Sequence, residues 1–190
     1  TDFDGTVAIN DWKSVANEYV VDQSTAKWAK WHRDAYAVGA LARFNLNSAW
    51  LHPKAQAAAM ALDLQPKCTN PFKNTLAQVV EIVHCFESAI QILDDLLETG
   101  VQWEWPAAPA RLSGQGVGAC EAPRGTLYHH YVIHSGGITD ADCMIPTAQN
   151  LANIEADMRA YVPRMLPASQ AEIERGLEML VRAYDPCISC

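Results

Sequence analysis

Cys187 and Cys190 stand in a C-x-x-C spacing. Two sulfurs so spaced fall on a common side of a turn, near enough to share a metal ion or to form a redox disulfide. The spacing alone leaves half of a structural zinc site, a plain thiol pair and a catalytic metal open. Zinc would need two further ligands, which His129, His130 and His134 of HHYVIH offer; histidines alternating along a strand are more often packed or hydrogen-bonded than ligating. The glycines of GQGVG, at 114, 116 and 118, miss the G-x-G-x-x-G order of a phosphate loop and suit a flexible turn. In EAPRG, residues 121–125, Arg124 sits between Pro123 and Gly125. That is a stiff mount for a guanidinium, whose five donors suit an anion or a strongly polar ligand. The plainer alternative is a surface arginine paired with Glu121. Asp185, ahead of Pro186 and Cys187, has its own plain alternative as a helix terminator.

The elements that position these residues are unevenly marked. Residues 1–50 mix weak helical periodicity with Trp12, Trp28, Trp31 and Tyr36, then run through the small-residue segment VGALARFNLN. Pro53 can open a short Ala-rich helix that Pro66 closes. The clearest pattern lies over 71–98, where Leu76, Val79, Val80, Val83, Phe86, Ile90, Leu93 and Leu97 form one apolar stripe, ended by Gly100. Residues 101–125 are rich in Gly and Pro and read as an irregular loop. Strand-forming TLYHHYVIHS, a turn at SGGITD and a second strand at ADCMIP predict a hairpin over 126–146. Ser169 with Glu172 makes a capping box, and Ile173, Leu177, Leu180, Val181 and Tyr184 share a helical face. Pro186 disfavours helix at Asp185, so a helix over 168–184 presents the two cysteines just past its end.

Composition narrows the partners. With 190 residues, 14 Lys+Arg and 22 Asp+Glu, the net charge is −8 and the chain suffices for one domain, expected over 1–190. A pI near 5.1 and the lack of a basic cluster argue against nucleic acid and an anionic membrane surface. No run approaches 18 consecutive apolar residues, so no membrane span is expected. Only 19% of residues are charged, below the roughly 25% usual in soluble domains, and a partner chain is expected to cover part of the surface. The opening lacks the pattern of a secretory signal, giving a cytoplasmic expectation. Starting at Thr1, the chain fits a mature, trimmed or fragmentary protein alike. Cys68, Cys85, Cys120 and Cys143 are expected as buried small hydrophobes or loop thiols, and reducing surroundings would keep Cys187 and Cys190 as thiolates.

ACEAPRGTLYHHY, MIPTAQN and RAYDPCISC, in that order and separation, resemble the C-terminal half of nickel–iron hydrogenase large subunits. VGALARFNLN resembles the family's G-P-L-A-R-x-N stretch, with Ala40 where proline is usual. The likeness covers about residues 35–190, and its wording is most similar to the cytoplasmic, cofactor-coupled group. The resemblance implies an α+β, mainly α fold with long helices in a bundle and a small β-hairpin. It implies an oxidoreductase for reversible dihydrogen oxidation in hydrogen metabolism, at a nickel–iron centre carrying cyanide and carbon monoxide. Cys187 would be a terminal thiolate on nickel, and Cys190 would bridge nickel and iron. Arg124 would hang over the open position, held by Asp185, with Pro123 in the same canopy. Thr147 would donate to a cyanide, Arg124 or Cys187 would take the proton, and His129 would face the electron-transfer subunit.

The same resemblance implies an iron–sulfur small subunit as partner. Electrons would pass through its clusters to a nicotinamide, a deazaflavin or a heterodisulfide reductase. The family draws two more cysteines and a proton-carrying glutamate from an N-terminal R-x-C-x-x-C region, whereas residues 1–67 contain no cysteine. A second chain or segment carrying that motif is therefore expected, the present sequence being one part of a split subunit or a fragment. The family also has a histidine beyond the second cysteine that ligates magnesium, while the present sequence stops at Cys190. Two other readings remain: a non-catalytic structural or assembly subunit retaining the fold without the full metal site, and a zinc or thiol redox module.

Overall fold

A computed structural model describes residues 7–32 and 34–187. A 3-10 turn, Ile9–Ser14, leads into strands β1 (Ala16–Tyr19) and β2 (Trp28–Trp31), paired antiparallel. Helices α1 (Ala40–Asn47), α2 (Pro53–Ala61) and α3 (Asn74–Thr99) follow. Strands β3 (Gly114–Ala122), β4 (Gly125–His134) and β5 (Gly137–Met144) then form an antiparallel sheet in that order. Helices α4 (Pro146–Met165) and α5 (Gln170–Ala183) complete the chain, which is α+β and mainly helical as expected.

Three apolar clusters hold these elements. Ala40 and Phe44 of α1, Ala55 and Ala59 of α2, and Ala77 and Val80 of α3 pack with Leu64. Trp12, Ala16, Ala29 and Met144 join the N-terminal ribbon to the inner face of the larger sheet, with Trp12 stacked on Tyr128 at 5.0 Å. Ile154 of α4 packs on Leu180 and Tyr184. Burial and the charge of Asp157 push the Tyr184 phenol above its ordinary range, keeping it neutral, and it donates to Asp157 and accepts from Asn153.

Several sequence expectations hold. Pro53 opens α2, with the His52 side chain accepting from Lys54 N; the helix stops at Ala61, however, so Pro66 does not close it as expected. Gly100 ends α3 with φ +75°, and the Ser169–Glu172 capping box opens α5. Others are corrected. The N-terminal region contains a β-ribbon: strands of four residues are too short to print a period-two pattern against the clustered aromatics. The glycines at 114, 116 and 118 lie within β3, so the hairpin is a three-stranded sheet and the irregular loop shrinks to about 101–113. Helix α4 was not marked, because its first turn is buried on all sides by polar Thr147, Gln149 and Asn150. Within the helical bundle, α5 packs its apolar face on α4. α5 meets α3 through polar links at the latter's first turns, where Asn74 Nδ2 donates to Ala183 O at 3.0 Å.

The stripe on α3 is buried only in its first half. Phe86 is 68% and Leu97 84% exposed, and Trp103 and Trp105 beyond them are also exposed. By length and composition Pro71–Thr99 reaches what a membrane span requires, with mean hydropathy 1.4 over its most apolar window. The rule of uninterrupted apolar residues missed it because polar residues break the run.

Gly125 has φ +140°, and a Cβ there would lie 2.3 Å from Val38 Cγ2. Gly125→Ala is therefore expected to destabilise the protein by about 2 kcal/mol or more. A lowered thermal midpoint checks this, whereas an unchanged midpoint would show that Val38 yields freely.

Candidate functional site

The turn between β3 and β4 brings Arg124 against the end of α5. Its Nε donates to Asp185 O at 2.7 Å and lies 3.2 Å from Asp185 Oδ2, while Nη2 reaches Oδ1 at 3.3 Å. The arginine is thus paired with Asp185, not with Glu121. Asp185 has φ +49°, a left-handed conformation that aspartate tolerates better than most residues. Proline at 186 disfavours the right-handed alternative. Asp185 therefore both terminates the helix and accepts Arg124. From α3, Gln78 Nε2 donates to Asp185 Oδ2 at 3.2 Å.

Two residues on, Cys187 N donates to Thr147 Oγ1 at 3.0 Å. A hydroxyl can accept there and still donate its own proton elsewhere, so Thr147 holds the cysteine backbone while keeping donor capacity. Arg124, Asp185, Cys187 and Thr147 are brought together, with Pro123 in the same turn. Cys187 is disulfide-bonded in this structure; a disulfide and a shared metal are the two states open to a C-x-x-C pair. Cys190 lies outside the described residues.

The support around the site was largely missed by sequence reasoning. Asn150 Oδ1 accepts from Val38 N at 2.8 Å, and Gln149 Nε2 donates to Thr126 O at 2.6 Å. Gln149 also accepts from Tyr36 OH at 3.1 Å; burial pushes that phenol above its ordinary range and keeps it a donor. Asn74 accepts from Leu41 N and donates to Ala183 O, tying α1, α3 and α5. The available signal was MIPTAQN itself, whose polar residues follow a helix-opening proline with no solvent to face.

Arg43 of α1 is the other residue the motif reading passed over. Its Nε and Nη2 fork onto Glu81 at 2.6 and 2.8 Å, and Nη1 meets Glu121 Oε2 at 2.8 Å. Ala122 O and Pro123 O accept from Nη1 and Nη2 at 2.9 and 2.8 Å. Burial works against the Arg43 charge, but hydrogen bonds and charges from Glu81 and Glu121 outweigh it and raise its pKa further.

The remaining sulfurs do not join the site. Cys68 is a half-buried loop thiol, one of the two expected forms, whereas Cys85, Cys120 and Cys143 are exposed on α3, β3 and β5 and are neither buried hydrophobes nor loop thiols. Glycines at 114, 116 and 118 and the open face of a three-stranded sheet leave Cys120 and Cys143 without cover. His129 Nδ1 lies 2.7 Å from Tyr131 OH and 3.4 Å from Cys143 Sγ on that face. Among the described residues, no group of three or more His, Cys, Asp and Glu is placed to hold a metal ion. Of the donor pair expected from the sequence, Cys187 lies beside Asp185, and its soft sulfur suits nickel or iron.

Residues 8–190 match the nickel-dependent hydrogenase family. Sulfhydrogenase 1 subunit alpha of Pyrococcus furiosus is 37% identical over 183 residues, covering 94% of this chain and 42% of that one. The NAD-reducing hydrogenase HoxS subunit beta of Cupriavidus necator is 31% identical over 191 residues, covering 96% and 38%. A crystal structure of an NAD+-reducing NiFe hydrogenase in the H2-reduced state superposes with a TM-score of 0.79 at 30% identity, over 95% of this chain and 42% of that one. This chain thus spans about two fifths of the length of these relatives. It belongs to the nickel-dependent hydrogenase family, as the counterpart of the C-terminal half of a large subunit.

Proposed function

We propose that this chain supplies one half of a nickel–iron centre for reversible dihydrogen oxidation in a cytoplasmic multisubunit hydrogenase, residues 1–190 acting as one domain. The convergence of Arg124, Asp185 and Thr147 on Cys187 carries the reading. Cys187 and Cys190 would hold nickel and iron together with two thiolates from an R-x-C-x-x-C segment outside this sequence. When bound, that metal pair polarises dihydrogen and accepts its electrons.

This chain's own residues do the rest. Arg124 spends Nε and Nη2 on Asp185, and among the described residues no hydrogen bond from Nη1 is found. Nη1 therefore serves as the donor over the open position, aimed by the pair with Asp185. Guanidinium groups stay charged in proteins, so the Cys187 thiolate is the better proton acceptor of the two candidate bases. Thr147 keeps the Cys187 backbone fixed, and its hydroxyl proton would be available to a cyanide of the centre, which would also carry carbon monoxide. Electrons leave through an iron–sulfur small subunit toward a nicotinamide, in keeping with the NAD-reducing relatives. A magnesium site would require a histidine beyond Cys190.

A second reading, a non-catalytic subunit that keeps the fold, rests on residues 1–67 containing no cysteine that could complete the donor set. Metal analysis of the purified assembly separates the two. Equal nickel and iron supports the first, no metal the second, and zinc would indicate a structural or thiol module.

Three outcomes are expected. Arg124→Lys lowers turnover roughly a hundredfold while leaving nickel and iron in place, because lysine keeps the charge but not the fork shared with Asp185; equal loss of metal and activity would make the residue structural. Alkylation of the native, metal-loaded assembly spares Cys187 and Cys190, and rapid labelling of both would contradict metal ligation. Expressed without partners, the chain is insoluble or metal-free. With a second polypeptide bringing two cysteines, it buries about 2,000 Å² or more, including the outer half of α3. Full nickel and iron in the chain alone would overturn the split site.

A further inference from the structure

Arg43 has no donor left for a ligand. A guanidinium carries five N–H groups, and all five are spent: two on Glu81, one on Glu121, and one each on the carbonyls of Ala122 and Pro123. Three of these acceptors belong to the turn that carries Arg124. The Pro123 carbonyl belongs to the peptide plane that ends at Arg124 N, so fixing it orients the start of Arg124. On the other side Gly39, at φ +111°, packs so closely that a Cβ there would lie 3.1 Å from Arg124 O. Both peptide planes flanking Arg124 are thus held before its side chain reaches Asp185.

We propose that Arg43 is a positioning residue: it locks the Ala122 and Pro123 carbonyls so that Arg124 is delivered onto Asp185 beside Cys187. The proposal rests on the reading of the site given above. Its energetic logic is that of a rigid mount. An arm as long as an arginine side chain, swung from a loose turn, would seldom hold the 2.7 Å bond to Asp185 O, and a misplacement of about 1 Å can cost a hundredfold in rate. Glu81 anchors the mount to α3, the same helix that sends Gln78 to Asp185, so both ends of the Arg124–Asp185 pair refer to one rigid element. Lysine at 43 would keep the charge but could not serve five acceptors from a planar fork.

The test is a double-variant cycle in the complete assembly with its partner chains, comparing Arg43→Lys, Arg124→Lys and the double variant. The first measurement is amide hydrogen exchange at Tyr184, Asp185 and Cys187, which needs no activity. Each single variant should speed exchange there about tenfold, with no further gain in the double, because both act through one contact. The second is hydrogen uptake, where Arg43→Lys should lower kcat with KM and nickel content nearly unchanged, and should add little to Arg124→Lys. Loosening confined to residues 121–126 with 184–187 unaffected, or additive effects in the double variant, would overturn the proposal. If Arg43→Lys does not assemble, Glu121→Gln replaces it, and the same non-additivity with Arg124→Lys is required. A wild-type assembly without nickel or hydrogen uptake would refute the functional reading, while the exchange cycle would still decide the role of Arg43.

Discussion

Arg124 and Asp185 lie 61 residues apart, and the fold brings one to the tip of a β-turn and the other to the end of the last helix. Their contact is partly exposed, at 32% and 42% of the two side chains, and an ion pair so placed contributes little stability by itself. Its importance is geometric. A carbonyl and a carboxylate of one residue accept from a single guanidinium, so the last helix and the β3–β4 turn cannot move independently. Cys187, two residues beyond, inherits that restraint and adds the bond to Thr147 at the start of α4.

The restraint propagates through buried polar groups. Gln149 and Asn150 are almost completely buried, and leaving either without partners would cost on the order of 1–3 kcal/mol. Their partners are backbone groups at Thr126 and Val38, on the two segments that flank Arg124. The first turn of α4 thus works as a polar hub: Thr147, Gln149 and Asn150 satisfy the cysteine segment, the sheet turn and the entry to α1. An apolar core would fill the same volume but would not fix direction to within a hydrogen-bond length.

Legibility in the sequence followed this division. Elements driven by apolar periodicity or by caps, such as α3 with Gly100 and α5 with Ser169 and Glu172, could be read because the signal is local. The β-ribbon at 16–31 and strand β3 could not, since short strands and alternating glycines carry almost no pattern until a partner strand is known. Helix α4 stayed hidden because its polar residues point inward. The site shows the same split: Arg124, Asp185 and Cys187 stand out by residue type and spacing, while Thr147 and the role of each come only through the resemblance. Arg43 and Asn150 lay inside quoted motifs without an assigned role, because their acceptors are backbone carbonyls and amides that no side-chain pattern reveals.

The outer half of α3 connects the incomplete donor set to the chain's coverage of its relatives. Its first turns are packed by α1 and α2, yet beyond Val83 the apolar stripe runs on with Phe86, Ile90, Leu93 and Leu97 all exposed. A helix of 26 residues does not keep Phe86, Ile90, Leu93 and Leu97 on one face for solvent; scattered apolar residues are ordinary on a surface, but a continuous stripe marks a contact. The relatives devote roughly three fifths of their length to sequence that this chain does not span. On the proposed reading, the further thiolates and the cover for α3 would be most economically supplied by one polypeptide, because a segment packed along α3 would run beside the helix whose Gln78 and Glu81 support both ends of the Arg124–Asp185 pair.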